Sequence, residues 1–298
     1  MKNMKRQFML FACALSAFFV LTSCQQEEVL EASNGTADLS AVNSIDPDEG
    51  ETAHDHGIMD KDEIMRHVDG HGVYTDMVEE VINEYPDGTT EKTFLVDGCI
   101  NMTRAQLTAE LDGDTDGRQY HTNNLVSDNN ISVIGYTGGS YALTSKMRTA
   151  LSWAINNYNR LSINKTFTLS FAASTNADIV VYRNYTNGGA GGSAGFPSGG
   201  APYKWVQIYA GMENYNTNVN EHVMTHEIGH CMGLRHTDYF NRASCGQNSN
   251  EGSAGVGAVH VPGTPTGIDW NSVMLACFSS NEDGEFGFYD RVALEYLY

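Results

Sequence analysis

His226-Glu227-Ile228-Gly229-His230-Cys231-Met232-Gly233-Leu234-Arg235-His236 is the stretch on which the reading of this 298-residue chain turns. Residues four apart on an α-helix share a face, so His226 and His230 can present imidazole nitrogens to one cation. Glu227 lies about 100° around the helix from His226, near enough to reach a water beside that cation without ligating it. A helix continued to position 236 would leave that side chain on the wrong side of the axis. Gly233 tolerates positive φ, so the chain can leave the helix there and bring His236 back to the metal. Three neutral histidines with one open position form a catalytic zinc arrangement rather than a closed structural one. A chance His-Glu-x-x-His on a surface helix is the bland alternative, and the added glycine and third histidine remove most of it. Asn218 followed by Glu221 suggests a capping box at the start of this helix. Met224, Ile228 and Cys231 form an apolar face opposite the ligands, which presses the helix into a core.

Outward from the motif the chain reads as mixed α and β. Ser145 to Tyr158 suggests a helix, with Met147, Leu151, Ala154, Ile155 and Tyr158 at helical spacing. Ile131 to Tyr136, Phe167 to Phe171, Asp178 to Tyr182 and Trp205 to Tyr209 suggest strands. Between Asn187 and Gly200 a loop carries seven glycines. Further upstream, Thr75 to Tyr85 reads as a helix stopped by Pro86-Asp87-Gly88, Thr93 to Val96 as a short strand and Thr103 to Leu111 as another helix. Asp112-Gly113-Asp114-Thr115-Asp116-Gly117 is spaced like the start of an EF-hand loop, which makes Ca2+ a secondary cofactor expectation. The twelfth position of that loop is Asn123 instead of a bidentate Glu, which favours a plain acidic turn.

At the N-terminus, Lys2, Lys5 and Arg6 precede an apolar run from Phe8 to Leu21, too short to span a bilayer as a permanent helix. It ends in Leu21-Thr22-Ser23-Cys24, which resembles a bacterial lipobox and predicts acylation of Cys24. The rival there is a plain signal peptide with an incidental cysteine. From Gln25 to Asp60 there are ten acidic residues and no Lys or Arg, the composition of a solvated tether; His54 and His56 within it have no further ligand at useful spacing. The whole chain holds 17 Lys and Arg against 37 Asp and Glu, a formal charge of -20. Such a field repels phosphate backbones and anionic lipid, which excludes nucleic acid as a partner and leaves the lipid at Cys24 as the only membrane contact. Cys99, Cys231, Cys245 and Cys277 remain for disulfides in an exported protein, and their connectivity is not fixed by spacing.

The His226–His236 motif resembles the metzincin signature. Within that group, His-Glu-Ile-Gly-His-Cys-Met-Gly-Leu-Arg-His-Thr-Asp resembles the dual-action HEIGH metallopeptidases, many of them exported by Bacteroidetes-type bacteria. The resemblance implies a methionine turn beneath the metal, for which Ser272-Val273-Met274 is placed suitably, and a closing helix at Phe288 to Leu294. It also implies a rim loop at Gly192-Ser193-Ala194-Gly195-Phe196-Pro197. Astacin-like relatives carry a tyrosine two residues after the turn methionine; here that place is Ala276. The Cys245 and Cys277 positions fit the same resemblance, which implies that they pair and tie the segment after His236 to the methionine turn. Metzincins are commonly made as latent precursors with a prosegment residue on the open metal position. Phe94-Leu95-Val96-Asp97-Gly98-Cys99 resembles the aspartate form of such a switch, with one extra residue and cysteine in place of the aspartate. A disulfide to Cys231 and an ordinary buried thiol are the alternatives for Cys99, and Asp114 is a second candidate for the blocking ligand.

The expected architecture is therefore α+β: a metzincin-like catalytic domain with a twisted mixed sheet, two long helices and an irregular lower subdomain. The expected divisions are a lipoprotein signal peptide (1–23), an acidic tether (24–60), an N-terminal segment and candidate prosegment (61–130) and the catalytic domain (131–298). The expected activity is that of a zinc endopeptidase acting on extracellular or surface proteins, from a site exported and lipid-anchored at the bacterial outer membrane or cell surface. In it Glu227 is the base, His226, His230 and His236 hold the one zinc ion, and Met274 is a packing floor. Substrate is expected to lie along an edge strand near Trp205 to Tyr209. The rival reading is a catalytically retired zinc-containing surface binding module or glycan adhesin, and the presence of Glu227 speaks against it.

Overall fold

The computed structural model describes residues 78–96, 98–103, 106–107, 120–252, 256–265 and 267–298. The signal peptide, the tether with His54 and His56, and the Asp112–Gly117 turn with its calcium reading lie outside them.

The chain enters as a three-stranded antiparallel sheet of β1 (Val78–Glu84), β2 (Thr90–Val96) and β3 (Ile100–Met102). The helix expected over 75–85 is thus corrected to a strand where the structure describes it. Val78, Val81 and Ile82 are β-branched and suit a pleat, and the register Val78↔Val96 to Glu84↔Thr90 gives every residue of β1 a partner. The Pro86-Asp87-Gly88 turn stops no helix; it closes this hairpin, with Gly88 at φ 82° donating its N–H to Tyr85 O at 2.9 Å. Of the helix expected over 103–111, Gln106 and Leu107 are helical, and the remainder lies mostly outside the described residues.

After β4 (Tyr120–His121) comes the main unit. Its elements are β5 (Asn130–Tyr136), α1 (Ser145–Asn159), β6 (Thr166–Ala172), β7 (Ile179–Asn184), β8 (Gly192–Ser193), β9 (Trp205–Tyr209), α2 (Thr217–Cys231), β10 (Val259–His260) and α3 (Phe288–Leu297). Five strands form one sheet in the order β6-β5-β7-β9-β8, parallel except for β8, which runs antiparallel along β9. Strand alternation sorts its two faces. Ile179, Val181, Val206 and Ile208 join Met147, Leu151, Ile155, Val223, Met224 and Ile228 in the core under α1 and α2. Val180, Tyr182 and Trp205 point the other way and pack with Tyr85 of the hairpin turn, whose ring stacks on Trp205 at 4.4 Å. This is the α+β architecture the sequence predicts, with one addition: the N-terminal hairpin covers the second face of the sheet.

Below α2 the chain is irregular and held by specific ties. Thr122 N–H donates to Gly233 O, Arg235 N–H to Tyr120 O and Thr237 N–H to Met274 O, each within 2.9 Å. Residues 120–126 are therefore built into the lower half. Cys245 and Cys277 form a disulfide across 32 residues, the pairing the family resemblance implies. Closing a loop of that length stabilises by roughly 3–4 kcal/mol in the chain-entropy account.

Candidate metal centre

The centre is assembled mainly by α2 and its exit. The helix starts at Thr217 with Asn216 as its cap, Oδ1 accepting from Val219 N–H at 2.9 Å. The expected Asn218–Glu221 box is not the cap; Glu221 instead accepts from Asn157 Nδ2 of α1 at 2.9 Å. From Val219 onward α2 is buried on every side, not only along the face of Met224, Ile228 and Cys231. It ends in a Schellman turn: Gly233, at φ 101°, donates to His230 O and Leu234 donates to Gly229 O, both at 2.9 Å. That turn reverses the chain and carries His236 back under the helix.

His226, His230 and His236 converge, with Nε2 atoms 3.2 Å apart for the His230–His236 and the His236–His226 pair. Each ring is oriented from its far side. Nδ1 of His226 lies 2.9 Å from Val273 O and Nδ1 of His230 lies 2.8 Å from Leu234 O. Nδ1 of His236 lies 2.7 Å from Glu251 Oε1. Those acceptors require protons on the Nδ1 atoms, so neutral rings present only lone pairs at Nε2. Burial first, and the neighbouring imidazoles second, hold His226 and His230 neutral: His226 is driven well below its ordinary value and His230 down to about 3. Three lone pairs cannot hydrogen-bond one another, but a cation between them satisfies all three. A tetrahedral zinc with Zn–N of ~2.0–2.1 Å would space its nitrogens about 3.3 Å apart, so the donor set fits that ion.

Glu251 carries no signal in the sequence, because its fifteen-residue distance from His236 follows no helical or strand period. It is buried between His236, Arg242 at 3.4 Å and Arg235 at 3.9 Å. Burial would raise its carboxyl, yet His236 and then the two guanidinium groups bring it down to about 2, so it stays a carboxylate.

Met274 packs against α2 at Gly229 and its carbonyl accepts from Thr237 N–H at 2.9 Å. A Cβ on Gly229 would stand 2.6 Å from its Sδ, so only glycine lets the helix settle on that thioether. The turn is fastened by Asp290 of α3, which accepts from Ser272 Oγ at 2.5 Å and from Val273 and Gly287 N–H at 2.9 Å. Burial pushes this carboxyl up to about 6 despite those donors. Glu227 is fully buried beside the rim segment, where a Cβ on Gly192 would come 2.9 Å from its Cγ.

Cys99 completes the group. Its Sγ is 3.4 Å from His236 Nε2, and one donor atom from each of Cys99, His226, His230 and His236 lies within 4.8 Å of all the others. Cys99 and Cys231 form no disulfide; burial pushes the Cys231 thiol well up, on the core side of α2. Asp114 lies outside the described residues. The segment around Cys99 runs beside the rim: Asn101 N–H donates to Ala194 O at 2.7 Å, and Ala194 N–H to Cys99 O at 2.9 Å. A buried polar network fastens it, with Asn101 Nδ2 on Ser193 Oγ at 3.0 Å, Asn83 Nδ2 on Asn101 Oδ1 at 3.0 Å and Gln207 Nε2 on Asn83 Oδ1 at 2.9 Å. The edge strand near Trp205–Tyr209 is β8. β9 is an inner strand flanked by β8, and the open backbone beyond β8 pairs with residues 99–101.

No curated protein matches this chain. Among solved structures, two of myroilysin are similar to it. One is 14% identical with a TM-score of 0.39, over 59% of this chain and 82% of that one; the other is 16% identical with a TM-score of 0.38, over 64% and 95%. The family model for the dual-action HEIGH metallo-peptidases matches residues 94–298, more than half of the chain and including all four converging side chains. The protein belongs to that family and is a metallopeptidase, a hydrolase acting on protein or peptide substrates.

Proposed function

We propose that this protein is a zinc endopeptidase, exported, anchored through Cys24 and made in a latent form. The observation that carries the catalytic reading is the convergence of three buried Nε2 atoms whose Nδ1 protons are already committed to Val273, Leu234 and Glu251. In this reading His226, His230 and His236 are the metal ligands, and Cys99 is the fourth in the uncut chain. These side chains would hold a zinc ion, which when bound would supply Lewis acidity toward the scissile carbonyl and lower the pKa of water to about 7. Glu227 takes a proton from the attacking water onto a carboxylate oxygen and returns it to the leaving amine nitrogen. Glu251 orients His236, Met274 closes the floor, and Gly192 lets the rim descend on Glu227 and exclude solvent. Residues 1–23 serve as the lipoprotein signal and 24–60 as the tether to the outer membrane or cell surface. The N-terminal segment through Met102 is the prosegment.

The test is a fluorogenic peptide library incubated with the trimmed protein, with and without chelator. Cleavage that stops on chelation and returns with zinc is expected. Inactivity at full zinc occupancy would replace the peptidase reading with that of a surface binding module. Glu251→Gln is expected to weaken zinc binding about 10–100-fold, the usual cost of removing a partner behind a ligating histidine. Competition with a chromophoric chelator measures it, and unchanged affinity would remove Glu251 from the site.

A further inference from the structure

A cavity of about 280 Å³ opens beside the metal centre, lined by His222, Val273, Trp270, Glu282, Asp283 and Glu285 among others. It is small against the ~300–1,000 Å³ of pockets for whole small molecules and suits a single side chain. Two links join it to the site. His222 stands one turn before His226 on the same helix face, about 6 Å along the axis. Val273, in its wall, supplies the carbonyl that orients His226 at 2.9 Å.

The lining is acidic and contains no Lys or Arg. Glu285 is engaged by Arg160 at 2.6 Å, so Glu282 and Asp283 set the charge of the wall. His222 has a side chain 6% exposed, with Nδ1 3.9 Å from Glu282 Oε2, and its buried Nε2 has no hydrogen-bond partner. Burial lowers its pKa, against the opposing pull of Glu282 and Asp283, and a neutral ring there adds no positive charge to the wall. A buried ring nitrogen without a partner, next to carboxylates, is matched by a ligand that brings N–H groups and positive charge. Trp270, 62% exposed, offers its ring for the stem of a long cationic side chain.

We propose that this cavity receives a lysine or arginine side chain from the substrate residue flanking the cleaved bond, so that the enzyme cuts beside basic residues. The inference rests on the peptidase reading above and names its substrate class. Glu282 stands 3.9 Å from His222, itself one helical turn before His226, a separation on the scale of four methylenes and an ammonium or three and a guanidinium.

The test uses the trimmed protein and peptides identical except for Lys, Arg, norleucine or Glu beside the cleaved bond. A kcat/KM at least tenfold higher for Lys or Arg than for norleucine is expected, with Glu poorest. The double variant Glu282→Gln, Asp283→Asn keeps the acceptors for Ser279 and Glu285 N–H and should collapse the Lys-to-norleucine ratio to within about twofold of one. Glu282→Lys should turn the preference toward the Glu peptide, a reversal that mere loss of structure does not produce. Equal rates for Lys and norleucine in the wild type, or a ratio unmoved by either variant, would overturn the pocket's role and leave the peptidase reading standing. Cleavage of none of the peptides would overturn both.

Discussion

Glu227→Gln is expected to lower turnover by about 10²–10⁴-fold while zinc content and thermal midpoint hold, because a general base is removed and no ligand is touched. Glutamine has nearly the volume of glutamate, so the contact with Gly192 on the rim persists, and α2 loses no cap or core contact. What changes is the ability of one carboxylate to accept a proton from water and surrender it to the leaving amine. The three histidines are oriented by Val273, Leu234 and Glu251, none of which depends on Glu227. Steady-state kinetics on the best peptide, with metal analysis of the same preparation, checks the result. Retention of more than about a tenth of wild-type turnover would sink the assignment.

Cys99→Ala is expected to make the full-length chain active without trimming, about a hundredfold above full-length wild type, the factor for a competent state held near 1%. The geometry supports a closed centre. For Zn–S of ~2.3 Å and Zn–N of ~2.0–2.1 Å, a tetrahedral edge between sulfur and nitrogen is about 3.6 Å. Cys99 Sγ lies 3.4 Å from His236 Nε2. Gly98, at φ 75°, makes the turn that brings the thiol in, and Tyr209 Oη anchors it by donating to Gly98 O at 2.9 Å. Residues 99–101 pair with the rim and the hairpin before them packs on the sheet, whereas residues 120–126 are tied into the lower half. The activating cut is therefore expected between Met102 and Tyr120, where N-terminal sequencing of the mature form would find it. X-ray absorption should show one sulfur neighbour in full-length wild type and none in Cys99→Ala. A shell of nitrogen and oxygen alone in the wild type would end the switch hypothesis.

What the sequence determined by itself is local. His226, His230 and Glu227 are placed by helical periodicity, and the return of His236 by one glycine at the helix end. Both depend only on residues within a few positions, so spacing suffices to read them. α1 and the four parallel strands were legible because burial writes a period into the sequence. The Cys245–Cys277 pairing was legible only through family resemblance, since cysteine spacing leaves connectivity open. The tertiary structure alone decided the rest. Val78–Glu84 is a strand because β2 offers it a full ladder, a contact that outweighs the helical look of the segment. Glu251 behind His236, and Asp290 behind the methionine turn, are carboxylates held in the interior largely by partners that folding delivers from 9 to 18 positions away. The cover of residues 99–101 over the rim, and the acidic cavity that His222 shares with residues 282 and 283, likewise join segments far apart in the chain. Such contacts leave no period in the sequence, because their strength comes from exclusion of water around groups that meet only in the folded state.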